Sequence, residues 1–441
     1  MEEYMKLLME QIRCKKVHPY IKQEVQGHIE EQIEANIMLG MSADEAEKAA
    51  VKDMGSPVEV GISLDKIHKP QIAWGIVALM ALISISGIVL HQIISSRIGE
   101  EAVGSADFAI YTIIGFVLML IVYRMDYTTI AGFSKIIATI FMAITMLGFF
   151  FGEVINGRTV SFMNISLSAL MTLCVPLYGG IIYKYHGLGY KALLKAVLWM
   201  IVPAYLTFKL PNLSLAMALL VSMSVILTVA IVHDWFKVSK KKVIAILWGC
   251  EIALPIMCIT AACVFGTVKN FRIARIKAFL SNSGDANYVT SMLRAILADS
   301  KIIGNSGREL TSHMVGITES HIFTYIVSTY GIIFGIAICC ILAVLIINIF
   351  SISFKQKNQL GMCMGCGCGM VILLNVVLNI TQNLGLFPPT YSFLPFFSTG
   401  GSNIVVCYIL MGIILSIYRY KNIYLSNVKI KRQIGKITIS F

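Results

Sequence analysis

The sequence predicts an all-α, polytopic membrane protein of about ten transmembrane helices, preceded by a small soluble helical domain. Composition is the first reason. The chain is 57% hydrophobic and 14% charged, with mean hydropathy +0.77, whereas soluble domains carry about 25% charged residues. The second reason is recurrence. Apolar runs able to cross about 30 Å of hydrocarbon lie near 71–95, 107–123, 130–152, 164–184, 191–208, 212–233, 243–265, 321–350, 361–381 and 402–418. The third is that residues 1–69 break this pattern, being charged and amphipathic.

Within 1–69, Ile21, Val25, Ile29, Ile33 and Ile37 recur at four-residue spacing, a helical stripe. Gly40 followed by Ser42-Ala-Asp-Glu45 reads as a C-cap glycine and then a capping box, and Gly55-Ser-Pro57 punctuates the next helix end. The stretch from Gly40 to Pro57 resembles the permease-prefix (HAAS-type) module. That resemblance implies a cytoplasmic docking or regulatory unit; a passive helical cap on the first span fits the same residues.

Basic residues orient the spans. Arg124, Lys184, Lys191, Lys237, Lys240 to Lys242, Lys355 and Lys357 fall in alternate connections, and Arg419 to Lys436 make the tail 421–441 basic. By the positive-inside bias both termini are cytoplasmic. One connection dissents: 266–320 falls outside yet carries Lys269, Arg272, Arg275, Lys277, Arg294, Lys301 and Arg308. Such a loop meets lipid headgroups or receives an anionic ligand. The net charge of +12 is thus spent at membrane surfaces, and a nucleic-acid partner is not needed to explain it. The first apolar run starts about seventy residues in, so insertion is expected to use internal spans.

Cys363-Met-Gly-Cys366-Gly-Cys368 has ligand-like spacing, but glycines alternate with the thiols inside an apolar run. Close helix packing is the expected reading, with no metal site. Glu251 lies within a span, and an ionisable group at that depth is a candidate for function or for a partner inside the bundle.

Between the last two spans the chain reads Asn379-Ile-Thr-Gln-Asn-Leu-Gly385-Leu-Phe-Pro388-Pro-Thr390-Tyr-Ser-Phe-Leu394-Pro395-Phe-Phe-Ser398-Thr-Gly400-Gly401-Ser402. Prolines and paired glycines there forbid a continuous helix, and broken backbone at membrane depth is tolerated only against protein or a watery cavity. The string resembles the signature of the FtsW/RodA/SpoVE (SEDS) family, and the likeness extends over about 150–420. It implies a SEDS-type membrane fold in the bacterial plasma membrane. It also implies polymerisation of lipid II, the undecaprenyl pyrophosphate-linked disaccharide peptide, beside a class B penicillin-binding protein.

Carried onto this chain, the likeness runs through Arg275-Ile-Lys277-Ala-Phe-Leu280 and Asp299-Ser-Lys301-Ile-Ile-Gly304 of the outer loop, and Pro211-Asn212-Leu213 before the sixth span. Where the family keeps a catalytic aspartate this chain has Ser320, flanked by Glu319 and His321. Ser166 and Ala169 stand for a family glutamate and lysine. A base must deprotonate the acceptor hydroxyl, and cations must steady the departing pyrophosphate. Glu319, His321 and Asp299 are the candidate bases, with Ser320 at the family position. Arg275, Lys277, Lys301 and Arg308 are the candidate pyrophosphate cations, while Asn212, Ser398, Gly400 and Gly401 are expected at the substrate cavity. A divalent cation accompanying the pyrophosphate is left open. So are two other functions: a catalytically inactive lipid-II-binding scaffold, and a transporter of lipid-linked precursor.

Overall fold

The computed structural model describes residues 1–99, 103–155, 158–162, 165–210, 212–264, 278–279, 281, 288–307, 316–388, 390, 392–424, 431–434 and 437–440. The chain forms two compact units. One comprises Met1–Ala73 with Gln356–Gln359 and Tyr418–Lys429; the other comprises the remainder.

The first unit holds α1 (Glu2–Glu10), α2 (His18–Met38), α3 (Ala43–Asp53) and α4 (Pro57–His68). Pro19 and Pro57 sit in first turns, where no helical N–H is lost. Ser42 and Glu45 close the expected capping box. Leu8, Ile12, Val17, Ile21, Val25, Ile29, Ala46 and Ala50 form the core. The stripe on α2 leaves that core at its end, for Ile37 is exposed. Asp65 is buried and takes the Arg13 backbone N–H at 3.0 Å and the guanidinium at 3.0 and 2.8 Å. The segment following the last span belongs to the same unit: His68 Nδ1 lies 2.6 Å from the Asn422 carbonyl, and Asn422 Nδ2 donates to the Ile67 carbonyl at 3.1 Å.

The second unit contains α5 (Trp74–Ile98), α6 (Ser105–Arg124), α7 (Tyr127–Phe151), α8 (Leu167–Tyr183), α9 (Tyr190–Lys209), α10 (Leu213–Val232) and α11 (Lys240–Val264). Then come α12 (Tyr288–Ala298), α13 (Ile322–Tyr330), α14 (Ile332–Phe354), α15 (Gln359–Asn383) and α16 (Gly401–Arg419). Eight of these are long and apolar enough to cross a membrane; the shorter α8 and the lysine-headed α11 occupy the other two expected places. The protein is an all-α, multi-pass membrane protein. A small antiparallel sheet, β1 (Glu153–Ile155), β2 (Arg158–Phe162) and β3 (Ile165–Ser166), joins α7 to α8, and β4 (Lys431–Ile434) pairs with β5 (Ile437–Ser440) in the tail.

The shorter α8 and α13 are almost wholly buried, α15 and α16 are the most buried of the long helices, and α5, α6, α7 and α14 bury a narrower face. The Cys363–Cys368 turns of α15 are buried. A Cβ on Gly365 would lie 2.4 Å from Ser353 Oγ, and one on Gly367 2.8 Å from Ile226. The small residues thus admit α14 and α10 against α15.

The eighth expected span, 321–350, is corrected. It is two helices, broken at Gly331, whose φ of +109° suits glycine. The cause is a strand of chain that the apolar run gives no hint of. Residues 301–306 lie along the break: Gly304 and Ser306 donate to the carbonyls of Tyr330 and Ser328, and Ile332 donates to that of Lys301. A Cβ at Gly331 would meet the Ile302 carbonyl oxygen at 2.6 Å.

Candidate functional site

The site is built on the C-terminal turns of α15, where Asn379 and Asn383 lie one turn apart on one face. Both are fully buried, so each amide must find partners. Asn379 Nδ2 donates to the Ser320 carbonyl at 3.0 Å and to Ser392 Oγ at 3.0 Å. Asn383 Nδ2 reaches the same carbonyl at 2.9 Å, while its Oδ1 accepts from Thr324 Oγ1 at 2.8 Å. Gln382 Oε1 accepts from the Thr390 N–H and hydroxyl, each at 3.1 Å. Three amides thus grip the turn before α13 and the broken segment before α16.

That broken segment is tightly wound. Ser398 Oγ accepts from the Leu394 N–H at 2.8 Å, and the Ser398 N–H returns to the Leu394 carbonyl at 2.9 Å. Phe396 sits at φ +68°, a costly conformation for an aromatic residue. Buried His91 of α5 donates from Nε2 to the Phe397 carbonyl at 2.7 Å and stacks on Phe108. One residue beyond the turn, the Thr399 N–H donates to the Thr318 carbonyl at 2.9 Å, and the two hydroxyls meet at 3.0 Å.

Thr318 and Ser320 are therefore both anchored, and Glu319 lies between them. The turn itself closes by bonds from the Glu319 and Ser320 N–H groups to the Gly316 carbonyl. Glu319 is exposed, yet partial desolvation by the surrounding chain raises its carboxyl above the usual carboxylate range. His321 is buried, with the Asn383 side chain beside it.

The other expected residues are dispersed. Lys301 lies where the chain pairs with the Gly331 end of α13, while the Asp299 N–H closes the end of α12 on the Ala295 carbonyl. α13 has nine residues, so the Lys301 backbone sits about 13 Å along it from Ser320. Ser398 spends its hydroxyl inside its own turn, Gly400 (φ +149°) shapes the backbone, and Gly401 packs on the Tyr111 ring. Asn212 caps α10 through the Leu215 N–H at 3.2 Å. Arg275, Lys277 and Arg308 lie outside the described residues. Glu251 packs with both carboxyl oxygens buried, beside Ser224 of α10. Among the described residues, no three His, Cys, Asp or Glu side chains gather into a possible metal site.

A cavity of about 40 Å³ opens beside the broken segment, lined among others by Ser168, Thr172, Asn212, Asn375, Ser392 and Asn403. It has room for about two or three waters. Among the described residues its polar lining carries no charge, in line with Ser166 and Ala169 standing where the family has charged residues on the same stretch.

The family model described as cell cycle protein, FtsW/RodA/SpoVE, matches residues 70–423. The chain belongs to that family. A probable peptidoglycan glycosyltransferase FtsW of Enterococcus hirae is 36% identical over 96 residues, 22% of this chain; the alignment spans about a quarter of that relative, 24%. The peptidoglycan glycosyltransferase MrdB of Helicobacter pylori is 23% identical over 348 residues, 75% of this chain and 87% of its own length. Among solved structures, a chain of a peptidoglycan synthase complex that coordinates polymerization and crosslinking superimposes with TM-score 0.64 at 18% identity, covering 79% of this chain and 98% of its own. At that identity the likeness establishes the fold.

Several residues of the site escape a reading of motifs. Asn379 and Asn383 stand inside the signature string, and two amides at i and i+4 on an apolar helix are a legible signal of paired burial. His91 is an ionisable group within the first apolar run, the same cue that singles out Glu251. Arg294, whose Nε and Nη2 hold the Gly385 carbonyl at 3.1 and 2.6 Å, has no such local cue.

Proposed function

We propose that this protein is a peptidoglycan glycosyltransferase that polymerises lipid II in the bacterial plasma membrane, with Glu319 as its general base. The observation that carries the reading is the anchoring of Thr318 and Ser320 by Thr399, Asn379 and Asn383, which fixes a carboxylate beside the family's aspartate position. In the reaction the acceptor sugar's 4-hydroxyl loses its proton to the Glu319 carboxylate as its oxygen bonds to the donor's anomeric carbon. The bond from that carbon to the pyrophosphate breaks, and the leaving group carries away its electron pair. A carboxylate whose pKa is raised is a stronger base than an ordinary glutamate. Arg275 and Lys277, with Lys301 and Arg308 in reserve, are the proposed partners of the pyrophosphate. The synthase complex that shares the fold supports a penicillin-binding protein as partner. The lysine and arginine distribution supports cytoplasmic termini, with residues 1–69 as a cytoplasmic docking unit.

One observation favours a second reading, a non-catalytic scaffold that binds lipid II. Ser320 occupies the aspartate position, and the cavity lining is uncharged. The two separate in one assay, in which purified full-length protein, with and without its transpeptidase, is given fluorescent lipid II. Glycan polymer supports the enzyme; saturable binding without polymer supports the scaffold.

A further inference from the structure

The turn between α2 and α3 carries apolar side chains that are exposed among the described residues. Met38 is 86% exposed and Leu39 79%, and Ile37 and Met41 beside them are exposed as well. Single exposed apolar residues are ordinary, but four within five positions on one helix end form a patch. The charges around it are mostly acidic, although Glu47 pairs with the Met1 ammonium and Lys48 beside it is exposed. Glu30, Glu31, Glu34, Asp44, Glu45 and Glu47 are all exposed, and from position 23 to 47 the chain has neither lysine nor arginine. This acidic stretch lies within a chain of net charge +12.

The charge selects the occupant. An anionic bilayer surface repels an acidic tip, so the patch is unsuited to anchoring in lipid headgroups. A second copy would set the same carboxylates against themselves in a twofold contact, and like charges brought together oppose it. What fits is an apolar surface ringed by positive charge. Methionines make such a surface adaptable, because the flexible thioether repacks around different partner side chains. We propose that the α2–α3 tip is a docking surface for a basic amphipathic helix of a partner protein, its apolar face on Met38, Leu39 and Met41 and its lysines or arginines on the Glu31, Glu34 and Asp44 carboxylates.

The test uses the full-length protein in zwitterionic nanodiscs, with a fluorescent coumarin residue in place of exposed Ala35. Two synthetic eighteen-residue amphipathic helices with the same leucine face are titrated in, one with lysine and one with glutamate on its polar face. The label is on the protein, so peptide dissolved in lipid gives no signal. The lysine peptide is expected to saturate the signal, at least tenfold more tightly than the glutamate peptide, and to weaken at least tenfold between 50 and 500 mM salt. Met38→Ser with Leu39→Ser removes the apolar face, and Glu31→Gln with Glu34→Gln removes charge; each pair is expected to weaken binding about tenfold. These residues are exposed, so the variants keep the fold, which the unchanged melting temperature of the first unit checks. Equal response to both peptides, or to neither, overturns the proposal. So does a signal produced by anionic vesicles alone, by raising the protein concentration without peptide, or lost on removing the chain's own basic tail.

Discussion

Asn383 holds the Ser320 carbonyl at 2.9 Å across sixty-three residues of sequence, and Asn379 holds the same oxygen from one helical turn away. A single carbonyl therefore joins the end of α15 to the turn that carries Glu319. Asn383→Leu removes both its donors and its acceptor, stranding the Thr324 hydroxyl and half of the Ser320 contact. It is expected to cost about 2–4 kcal/mol, the loss of the buried hydrogen bonds to Thr324, Ser320 and the Asn379 carbonyl. Thermal unfolding in detergent measures it. Asn383→Gln should recover little, because an added methylene displaces an amide held on both faces.

The strained turn at Phe396 depends on His91. His91→Phe keeps the ring stacked on Phe108 but leaves the Phe397 carbonyl without its donor. An expected loss of about 1–3 kcal/mol should appear with faster hydrogen exchange at the Leu394, Ser398 and Thr399 amides. Unchanged exchange there would show that the turn holds its shape without the imidazole.

Gly331→Ala tests the break between α13 and α14. The φ of +109° and the Ile302 carbonyl oxygen 2.6 Å from a new Cβ both oppose it. The expected result is a lowered melting temperature and release of residues 301–306, read as new protease cleavage in that segment. A continuous helix through 331, unharmed by alanine, would contradict the broken architecture.

Much of the membrane fold is legible in the sequence because each span is a local apolar run, and composition alone marks residues 1–69 as different. The break at Gly331 is not, since Ile322 to Phe354 reads as one run and the chain that interrupts it, 301–306, lies before that run begins. The signature string announces itself, but what it holds is remote: Thr399 meets Thr318 and His91 meets Phe397 across large separations. The string does not disclose that Ser398 bonds inside its own turn, that Gly400 takes φ +149° or that Gly401 packs on Tyr111, because those contacts depend on how the chain folds back on itself. Lys301 and Glu319 share a loop in sequence, yet the length of α13 lies between the backbone positions they occupy.

In the first unit, Asp65 gives a pH signature. Burial raises its pKa, but the Arg13 N–H, the guanidinium hydrogen bonds and the Arg13 and Lys69 charges outweigh that and hold it below the usual carboxylate value. A depressed folded-state pKa contributes stability above the unfolded value of about 3.9, and the contribution is lost as pH falls through the lower folded value. Asp65→Asn is therefore expected to lower the melting temperature of this unit at pH 7 and to matter progressively less below pH 4. An equal loss at pH 7 and pH 3 would show that packing, not ionisation, is what Asp65 supplies.

The central claim, a base at Glu319, is tested most directly by lipid II polymerisation with the unmodified protein, Glu319→Gln and Ser320→Asp, each with its transpeptidase present. The account predicts polymer from the unmodified protein and a loss of about 10²–10⁴-fold in Glu319→Gln without loss of folding. It also predicts an acidic limb in the pH profile displaced upward from an ordinary glutamate, since the Glu319 pKa is raised, and activity kept or increased in Ser320→Asp. Full activity in Glu319→Gln would contradict it, with loss in His321→Ala moving the base to the imidazole, and silence of both the unmodified protein and Ser320→Asp would replace the enzyme with a scaffold.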